Sequence, residues 1–262
     1  MAAEPVSVCH ELLAAPNPLI RQSEHRDSGW RMAVYERAEG AEPTVIRIPE
    51  AAHAGEDFAR ATEARGRIFN VRMRRATMGT LENTHPFTMD SLSFGHNGTV
   101  IDYPLLGVTD AVGDTDSEHL FRHLVAHLDP SDTIGSLRRT IAAATDASVF
   151  SGLNFLFSEG FRLYAYRFGV FDLFWVSRPG RLIVSSEKLS EGEEWHTVGQ
   201  DVLLVLEPAS RLGAPHAERL LGDELSSRAR LDPLNQGAGL TGEECGRFAA
   251  ERALRIAGAV AP

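Results

Sequence analysis

The sequence predicts a layered α+β fold in which helices cover sheets. Short apolar runs typical of strands occupy the first part of the chain, and similar runs return in its later part. Between them lie two segments whose apolar residues recur at helical spacing. At 262 residues, with 43% hydrophobic and 24% charged residues, the chain is long enough for one substantial core around such layers.

The N-terminal part is predicted to start with a short helix and to continue as strands. The helix covers residues 6–13 and is ended by Pro16-Asn17-Pro18. A second helix covers residues 57–64, with Phe58 on its inner side. Strand character is found in four segments: residues 32–35, 44–48, 67–73 and 91–95.

Two central helices follow. The first has one apolar stripe, made of Leu120, Phe121, Leu124, Val125 and Leu128. Ser131 is predicted to cap the second, which carries Ile134, Leu137 and Ile141 on its apolar face.

The chain then returns to strands. Residues 153–157 and 162–167 flank Ser158-Glu159-Gly160, a pattern typical of a hairpin. Three more segments have strand character: residues 170–176, 181–185 and 202–206.

After Pro208 the pattern changes to helix and loop, and Thr241 with Glu244 forms a capping box for a final helix. We therefore expect a main domain over residues 1–207 and a C-terminal helical extension over residues 208–262. An extension of this size is too short for a synthetase domain, so none is expected in this chain.

Charge and composition exclude several classes of protein. A net charge of −10 is opposed to the basic face that nucleic-acid binding requires. No apolar run has the length of a membrane span, and the N-terminus lacks the pattern of a signal peptide. With only Cys9 and Cys245, a disulfide framework is not expected. The sequence predicts a cytoplasmic protein.

The residues that indicate a site follow the strand at 67–73. They form four motifs: R-x-A-T-x-G from Arg74, N-T-H-P-F from Asn83, H-N-G from His96, and T-D-S-E from Thr115. They offer a guanidinium, an asparagine beside a flexible backbone N–H, and a carboxylate. Such groups can hold an amino acid by its carboxylate and amine while its amide carbonyl is attacked.

These motifs resemble the glutaminase domain of class II glutamine amidotransferases, within the N-terminal nucleophile hydrolase superfamily. The resemblance covers residues 5–206, and the order of the motifs supports it. Two more matches are Arg21-Gln22-Ser23 ahead of Gly29-Trp30, and Ser185 to Leu189 ahead of Trp195. The chain is most similar to small stand-alone members such as the ergothioneine-pathway γ-glutamyl amidohydrolases.

The resemblance implies a four-layer αββα sandwich and a thiolate that attacks a glutamine-type side-chain amide. Ammonia or an amine is released, and water then cleaves the γ-glutamyl thioester. The expected substrate is glutamine or a γ-glutamyl amide, with no cofactor. A separate ammonia-using synthetase subunit and an oligomeric state are both compatible with the sequence.

The resemblance also implies residue roles. Asn97, through its side chain, and Gly98, through its N–H, form the oxyanion hole. Four residues bind substrate: Arg74, Thr77, His85 and Asp116. Arg74 binds the α-carboxylate, Thr77 makes a second contact to it, and Asp116 binds the α-ammonium.

Taken one at a time, these residues have simpler interpretations, which stay open at this point. Arg74 can be a surface arginine, and Asn97-Gly98 is also an ordinary hairpin turn. Asp116 can cap the following helix, and His85 can be a structural hydrogen-bonding residue.

His119, His123 and His127 share one face of the first central helix. Two histidines four residues apart can chelate zinc, but no third ligand is evident nearby. No metal site is predicted, and we expect this face to be a solvated or partly buried edge.

The chain departs from the family at its nucleophile, a cysteine at the mature N-terminus. No cysteine follows Met1, and the strand that carries it in the family is missing by roughly half a dozen residues. Three explanations stay open. The true start lies upstream; or the protein is a non-catalytic relative; or a propeptide is removed to expose Cys9, whose simpler interpretation is a buried, inert thiol.

Three further positions differ from the family pattern. Ser28 stands where an aspartate precedes Gly29-Trp30, and Arg31 replaces the glycine that follows. Arg72 replaces a histidine two residues before Arg74. We expect these changes to alter substrate choice or activity.

Overall fold

Two groups of strands stack face to face, and helices cover the outer face of each group. The structure, a computed structural model, describes residues 1–22, 30–37, 39–48, 56–73, 83, 85–207, 214–223, 226 and 229–231. None of the helices in these ranges is long and apolar enough to cross a bilayer.

The helices in the described ranges are α1 (Leu19–Gln22), α2 (Glu56–Ala61), α3 (Asp116–Ala126) and α4 (Thr133–Ala147), with a π-helix at His10–Ala14 and a 3-10 helix at Tyr103–Leu106. The strands of the first half are β1 (Val6–Ser7), β2 (Trp30–Tyr35), β3 (Thr44–Ile48), β4 (Arg65–Gly66), β5 (Ile68–Met73), β6 (Phe87–Met89) and β7 (Leu92–Asn97). Those of the second half are β8 (Val149–Phe150), β9 (Asn154–Ser158), β10 (Leu163–Arg167), β11 (Phe174–Arg178), β12 (Arg181–Ser185), β13 (His196–Thr197), β14 (Val202–Leu206), β15 (His216–Arg219) and β16 (Arg230–Leu231).

The first group is one antiparallel sheet in the order β15-β14-β10-β9-β7-β6. Its inner strands β14, β10 and β9 are largely apolar on both faces, because both faces are covered. On β10, Tyr164 and Tyr166 pack in the cluster under α3 and α4, whereas Leu163 and Ala165 pack in the cluster between the two groups of strands. The alternation is the period of two that a strand imposes.

The second group consists of two three-stranded sheets, β3-β2-β5 and β12-β11-β13. Trp30 of β2 meets Phe58 of α2 edge to face, with ring centroids 4.7 Å apart. Leu12 of the π-helix belongs to the same buried cluster. The layers therefore run helix, sheet, sheet, helix, and the predicted αββα sandwich is confirmed.

Most predicted elements of the main domain are confirmed, with three corrections. Residues 6–13 are not one helix, because Val6 and Ser7 pair with Gly66 and Arg65 and the π-helix begins only at His10. The predicted strand at 170–176 begins at Phe174, because the Ser151 carbonyl accepts from Val170 and the Phe171 carbonyl accepts from Arg167.

The third correction concerns the cap of α4. Asp132, not Ser131, is the cap, and its carboxylate accepts from the Gly135 N–H at 2.9 Å. The Ser131 hydroxyl donates to Asp129 instead. Both residue types favour this position, so the sequence pattern placed the helix start within one residue.

Beyond Pro208, the structure shows two strands where helix and loop were predicted. Residues 216–219 form β15, the edge strand of the large sheet, and residues 230–231 form β16, which pairs with β8. The capping box at Thr241 and Glu244 lies outside the described residues, and the domain division at 207 stays a prediction.

Asp201 fastens the turn after β15 to the large sheet. Its side chain is 1% exposed and accepts hydrogen bonds at 2.9 Å from the Tyr166 hydroxyl and from the backbone N–H groups of Leu221 and Gly222. Arg219 pairs with the same carboxylate at 3.3 Å. One buried carboxylate thus satisfies three donors that would otherwise be left unpaired.

Replacing Asp201 by alanine is expected to lower the free energy of unfolding by about 3–5 kcal/mol, because it leaves those three buried donors without an acceptor. Urea unfolding measures this. Asp201→Asn should cost less, since asparagine retains an acceptor and tolerates the left-handed backbone (φ +57°).

The matched control is Asp223→Ala, which removes the exposed partner of the same Arg219. Its effect should stay within about 0.5 kcal/mol. Equal losses for Asp201→Ala and Asp223→Ala would contradict the anchoring role of Asp201.

Candidate functional site

A slot separates the two small sheets. Within the described ranges, β5 is the last strand of one sheet and β12 the first strand of the other, so each presents an edge to the slot. Residues of both strands line a cavity of about 180 Å³ between them, together with Gly95 and Asn97 of β7.

The first three residues of the chain close one end of the slot, between Arg67 and Leu182, which we call its lower end. The Met1 amine donates to the Leu182 carbonyl at 2.9 Å, and the Leu182 N–H donates back to Met1 at 2.8 Å. On the other side, the Ala2 N–H donates to the Arg67 carbonyl at 2.7 Å. Residues 1–3 therefore begin a strand between β5 and β12, antiparallel to β12.

This arrangement buries the α-amine of Met1. Burial lowers the pKa of this amine to about 5. The negative charge of Glu11 raises the pKa and opposes part of this effect, whereas the positive charge of Arg181 lowers the pKa further. The amine is therefore neutral at pH 7.

Two buried acceptors on the slot walls have no hydrogen-bond partner among the described residues: Asn70 Oδ1 and Glu11 Oε2. Asn70, 1% exposed, uses its amide nitrogen to donate to the Leu156 carbonyl at 3.2 Å. Glu11 uses its other oxygen for Arg178 and Arg181 at 2.7 and 2.9 Å. Unpartnered buried acceptors are rare, and both of these face a space with room for a donor.

The turn after β7 carries the predicted oxyanion residues, Asn97 and Gly98. Gly98 has a φ of +151°, and a Cβ there would overlap the carbonyl of Gly152. The next residues are fixed by the exchange of hydrogen bonds between Thr99 and Ser151, at 3.0 and 2.9 Å. Only glycine fits at position 98, and Asn97, the residue before it, lines the slot.

His96 supports the same turn from the core. Its Nε2 donates to the Gly152 carbonyl at 3.1 Å, and its Nδ1 accepts from the Ser117 hydroxyl at 2.8 Å. Burial lowers the pKa of His96, Asp116 opposes this and Arg72 adds to it. A neutral ring with one donor and one acceptor fits both contacts.

Asp116, the predicted α-ammonium ligand, lies at the same place. It is the first residue of α3, capped by Thr115, and its Oδ2 accepts from the Val100 N–H at 2.7 Å. The structure therefore brings Asp116 to the segment that follows Asn97 and Gly98. A carboxylate has about four acceptor sites, so one backbone contact leaves capacity for an ammonium group.

Asn83, the first residue of the N-T-H-P-F motif, is hydrogen-bonded to Asp114, directly before the T-D-S-E motif. The sequence did not predict this contact. Asn83 Oδ1 accepts from the Asp114 N–H at 3.2 Å, and its Nδ2 donates to the Asp114 carboxylate at 2.7 Å. Glu118, also missed, accepts from Val112 and Gly113 at 2.9 and 2.7 Å. Asn83 and Glu118 both lie within motifs found in the sequence, so their positions could have indicated a role. Nothing in the sequence indicated which residues they contact.

The remaining predicted substrate ligands are not all placed. Arg74 and Thr77 lie outside the described residues, as does Ser28. His85 is buried, with its ring edge to face with Phe87 at 4.6 Å, and it precedes Pro86 through a cis peptide bond. Arg31 donates to the Pro86 carbonyl at 3.0 Å, so His85 lies beside the β2 end of the site.

Arg31 and Arg72, two of the positions that differ from the family, are directly opposite each other on β2 and β5. Arg31 is 8% exposed, and Arg72 is half-buried on the slot wall. Arg72 Nη2 lies 3.5 Å from Asn97 Oδ1. The two arginines are therefore neighbours in the fold, and Arg72 also contacts the turn that carries Asn97 and Gly98.

Cys9 lies just before the π-helix, half-buried, with its N–H donating to the Ser7 hydroxyl at 3.2 Å. The slot is lined by Val8, Glu11 and Leu12 of this segment, and Cys9 is not among its lining residues.

His119 and His123 of α3 and its C-cap residue His127 each contact neighbours within the protein. His119 meets Tyr103 edge to face with ring centroids 4.6 Å apart, His123 Nδ1 donates to the Leu106 carbonyl at 3.2 Å, and His127 lies against His123 with ring centroids 4.4 Å apart. Over the described ranges, no three His, Cys, Asp or Glu side chains are grouped closely enough to hold a metal ion.

Comparison with solved structures shows the same fold in enzymes of one class. A glutamine aminotransferase class-II domain protein from Silicibacter pomeroyi is 23% identical, with a TM-score of 0.58 over 74% of this chain and 92% of the other. A predicted glutamine amidotransferase from Pseudomonas aeruginosa is 20% identical, with a TM-score of 0.52 over 72% and 88%.

The glutamine phosphoribosylpyrophosphate amidotransferase of B. subtilis is 15% identical, with a TM-score of 0.60 over 78% of this chain and 46% of its own. At these identities the likeness establishes the fold. A search of curated proteins finds no match.

The sequence comparison goes further than the fold. The family model of the class-II glutamine amidotransferases matches residues 3–180, which is more than half of the chain and includes all four motifs. The resemblance predicted from those motifs is confirmed: the chain belongs to the class-II glutamine amidotransferases.

Proposed function

We propose that this protein hydrolyses the side-chain amide of glutamine or of a γ-glutamyl compound through a cysteine thioester. The nucleophile is a cysteine upstream of Met1, on a strand that fills the slot. The single observation that carries the proposal is the slot itself, with strand edges on both sides and a strand already begun at its lower end.

The length of the missing strand follows from its register. Ala2 lies opposite Arg67, to whose carbonyl it donates. Arg72, which contacts Asn97, lies five residues after Arg67, on β5. At roughly 3.3 Å per residue this distance is about 17 Å. A residue four or five positions before Met1 would therefore lie beside Asn97.

The buried amine of Met1 supports the same conclusion. An amine at this position has to lose its proton to be buried, whereas a peptide N–H donates to the Leu182 carbonyl without any charge. The environment of Met1 N is thus one that suits a peptide bond.

The site residues then have these roles. The thiolate attacks the amide carbonyl, Asn97 Nδ2 and the Gly98 N–H bind the oxyanion, and ammonia leaves. Asp116 binds the α-ammonium, and Arg74 with Thr77 binds the α-carboxylate. His85 lies in the substrate-binding region. The free α-amine of the upstream cysteine takes the thiol proton and passes it to the leaving ammonia, after which water cleaves the thioester.

Released ammonia would pass to a separate synthetase subunit or, in a simple hydrolase, to solvent. A cytoplasmic location and an oligomeric assembly belong to the same proposal. The acidic net charge supports a small-molecule substrate rather than a nucleic acid.

The alternative function is a non-catalytic relative that binds a glutamyl-like ligand or a protein partner. It is favoured by one observation: Cys9, the one cysteine among the described residues, does not line the slot. Exposing Cys9 by cleavage would remove Met1 and Ala2, which are buried and hold the two small sheets together.

The first test is the intact mass and N-terminal sequence of the protein from its native cell. A chain that starts with a cysteine four or five residues before Met1 should release ammonia from L-glutamine. In that chain, Asn97→Ala should lower kcat by about 10²–10³, because one oxyanion donor is lost.

The matched control carries serine in place of the upstream cysteine, which preserves the strand and removes the thiolate. It should bind L-glutamate without turnover, and Asp116→Ala should weaken that binding. A chain that starts at Met1 or Ala2 and releases no ammonia would leave the non-catalytic alternative. A start at Cys9 would support the propeptide.

The buried amine gives a pH-dependent prediction for the chain that starts at Met1. The amine pKa is about 5 in the folded state and about 8 in the unfolded state. Between these values the unfolded chain binds the extra proton, so stability should rise with pH from 5 to 8, by about 4 kcal/mol. Urea unfolding across this range measures it.

The control is the same chain with an acetylated Met1, which retains the N–H donor without the charge. Histidines such as His96 titrate in both chains, so the difference between the two profiles isolates the amine. Identical profiles would mean that the amine is not buried in the slot.

A further inference from the structure

We propose that Arg72 is a positioning residue that fixes the orientation of the Asn97 side-chain amide, so that its nitrogen points into the slot. The proposal rests on the proposed function for its catalytic consequence. The contact itself can be tested without any activity.

The argument begins with the two groups that meet. Arg72 Nη2 lies 3.5 Å from Asn97 Oδ1. A guanidinium only donates, and an amide has one accepting and one donating end. The contact is favourable only when Oδ1 faces Arg72, which directs Nδ2 away from it.

The direction of Nδ2 is the property an oxyanion hole needs. If the amide were turned over, Oδ1 would face the developing negative charge and repel it. A donor aimed at the oxyanion before the reaction begins avoids reorganisation in the transition state. Both residues line the slot, so the fixed donor faces the space that the substrate amide would enter.

Arg31 limits where the guanidinium of Arg72 can go. It is the direct cross-strand neighbour of Arg72 on β2, and its Nη1 is held by the Pro86 carbonyl at 3.0 Å. Like charges opposite each other on a sheet repel. The fixed charge of Arg31 therefore disfavours orientations of Arg72 toward β2 and favours the orientation toward Asn97.

The test in the active, extended chain compares Arg72→Leu with Arg72→Lys. Losing the donor should lower kcat roughly ten- to hundredfold, with KM for glutamine within about twofold, since only an interaction of the transition state is weakened. Lysine, also only a donor, should restore most of kcat. Adding Arg72→Leu to Asn97→Ala should cause little further loss, because Arg72 acts only through the oxyanion donor that Asn97→Ala has already removed.

The matched control is Arg47→Leu, an exposed arginine on β3 in the same cross-strand row. It should leave kcat and KM unchanged. Losses from Arg72→Leu and Asn97→Ala that multiply in the double variant would overturn the proposal.

A second readout does not depend on turnover. The chain that starts at Met1 is labelled with ¹⁵N-asparagine and studied by NMR. The side-chain amide signals of Asn97 should shift in Arg72→Leu and should stay in place in Arg47→Leu. Unchanged Asn97 signals in Arg72→Leu would overturn the positioning role. An extended chain without activity, but with these shifts, would refute the proposed function and leave the positioning contact standing.

Discussion

The backbone hydrogen bonding of two facing strand edges is the constraint on which the rest of the structure depends. Strand edges in a protein interior need partners, and among the described residues the facing edges of β5 and β12 are joined where Met1 to Ala3 lie between them. With a strand in the slot, the two small sheets would become one continuous layer opposite the large sheet. Arg72 and Asn97 stand on the walls of that slot, 3.5 Å apart.

The turn that carries Asn97 and Gly98 is held by contacts to residues outside the turn. Gly98 and Gly152 approach so closely that no side chain fits between them, and the neutral ring of His96 joins the Gly152 carbonyl to Ser117. Asp116 accepts from Val100 and so ties the start of α3 to the same segment. If Asn97 and Gly98 bind an oxyanion, as proposed, these contacts would hold their donors in place before any substrate arrives, as electrostatic stabilisation of a transition state requires.

Two arginines that are distant along the chain are direct neighbours in the fold. Arg31 and Arg72 are more than forty residues apart but lie side by side, because β2 and β5 pair with those residues opposite each other. Arg72 lies 3.5 Å from Asn97 and lowers the pKa of His96. Arg31, opposite it, donates to the Pro86 carbonyl.

The sequence by itself determined the layered fold, most strand and helix positions, and the family. Alternating residues such as Tyr164, Ala165 and Tyr166 record which face of a strand is covered, and this information is local. Only the tertiary structure decided that Val6 and Ser7 form a strand, that residues 216–219 join the large sheet, and that Asn83 holds Asp114. Each of these depends on hydrogen bonds to residues distant in the chain, and neither periodicity nor a motif specifies such a partner.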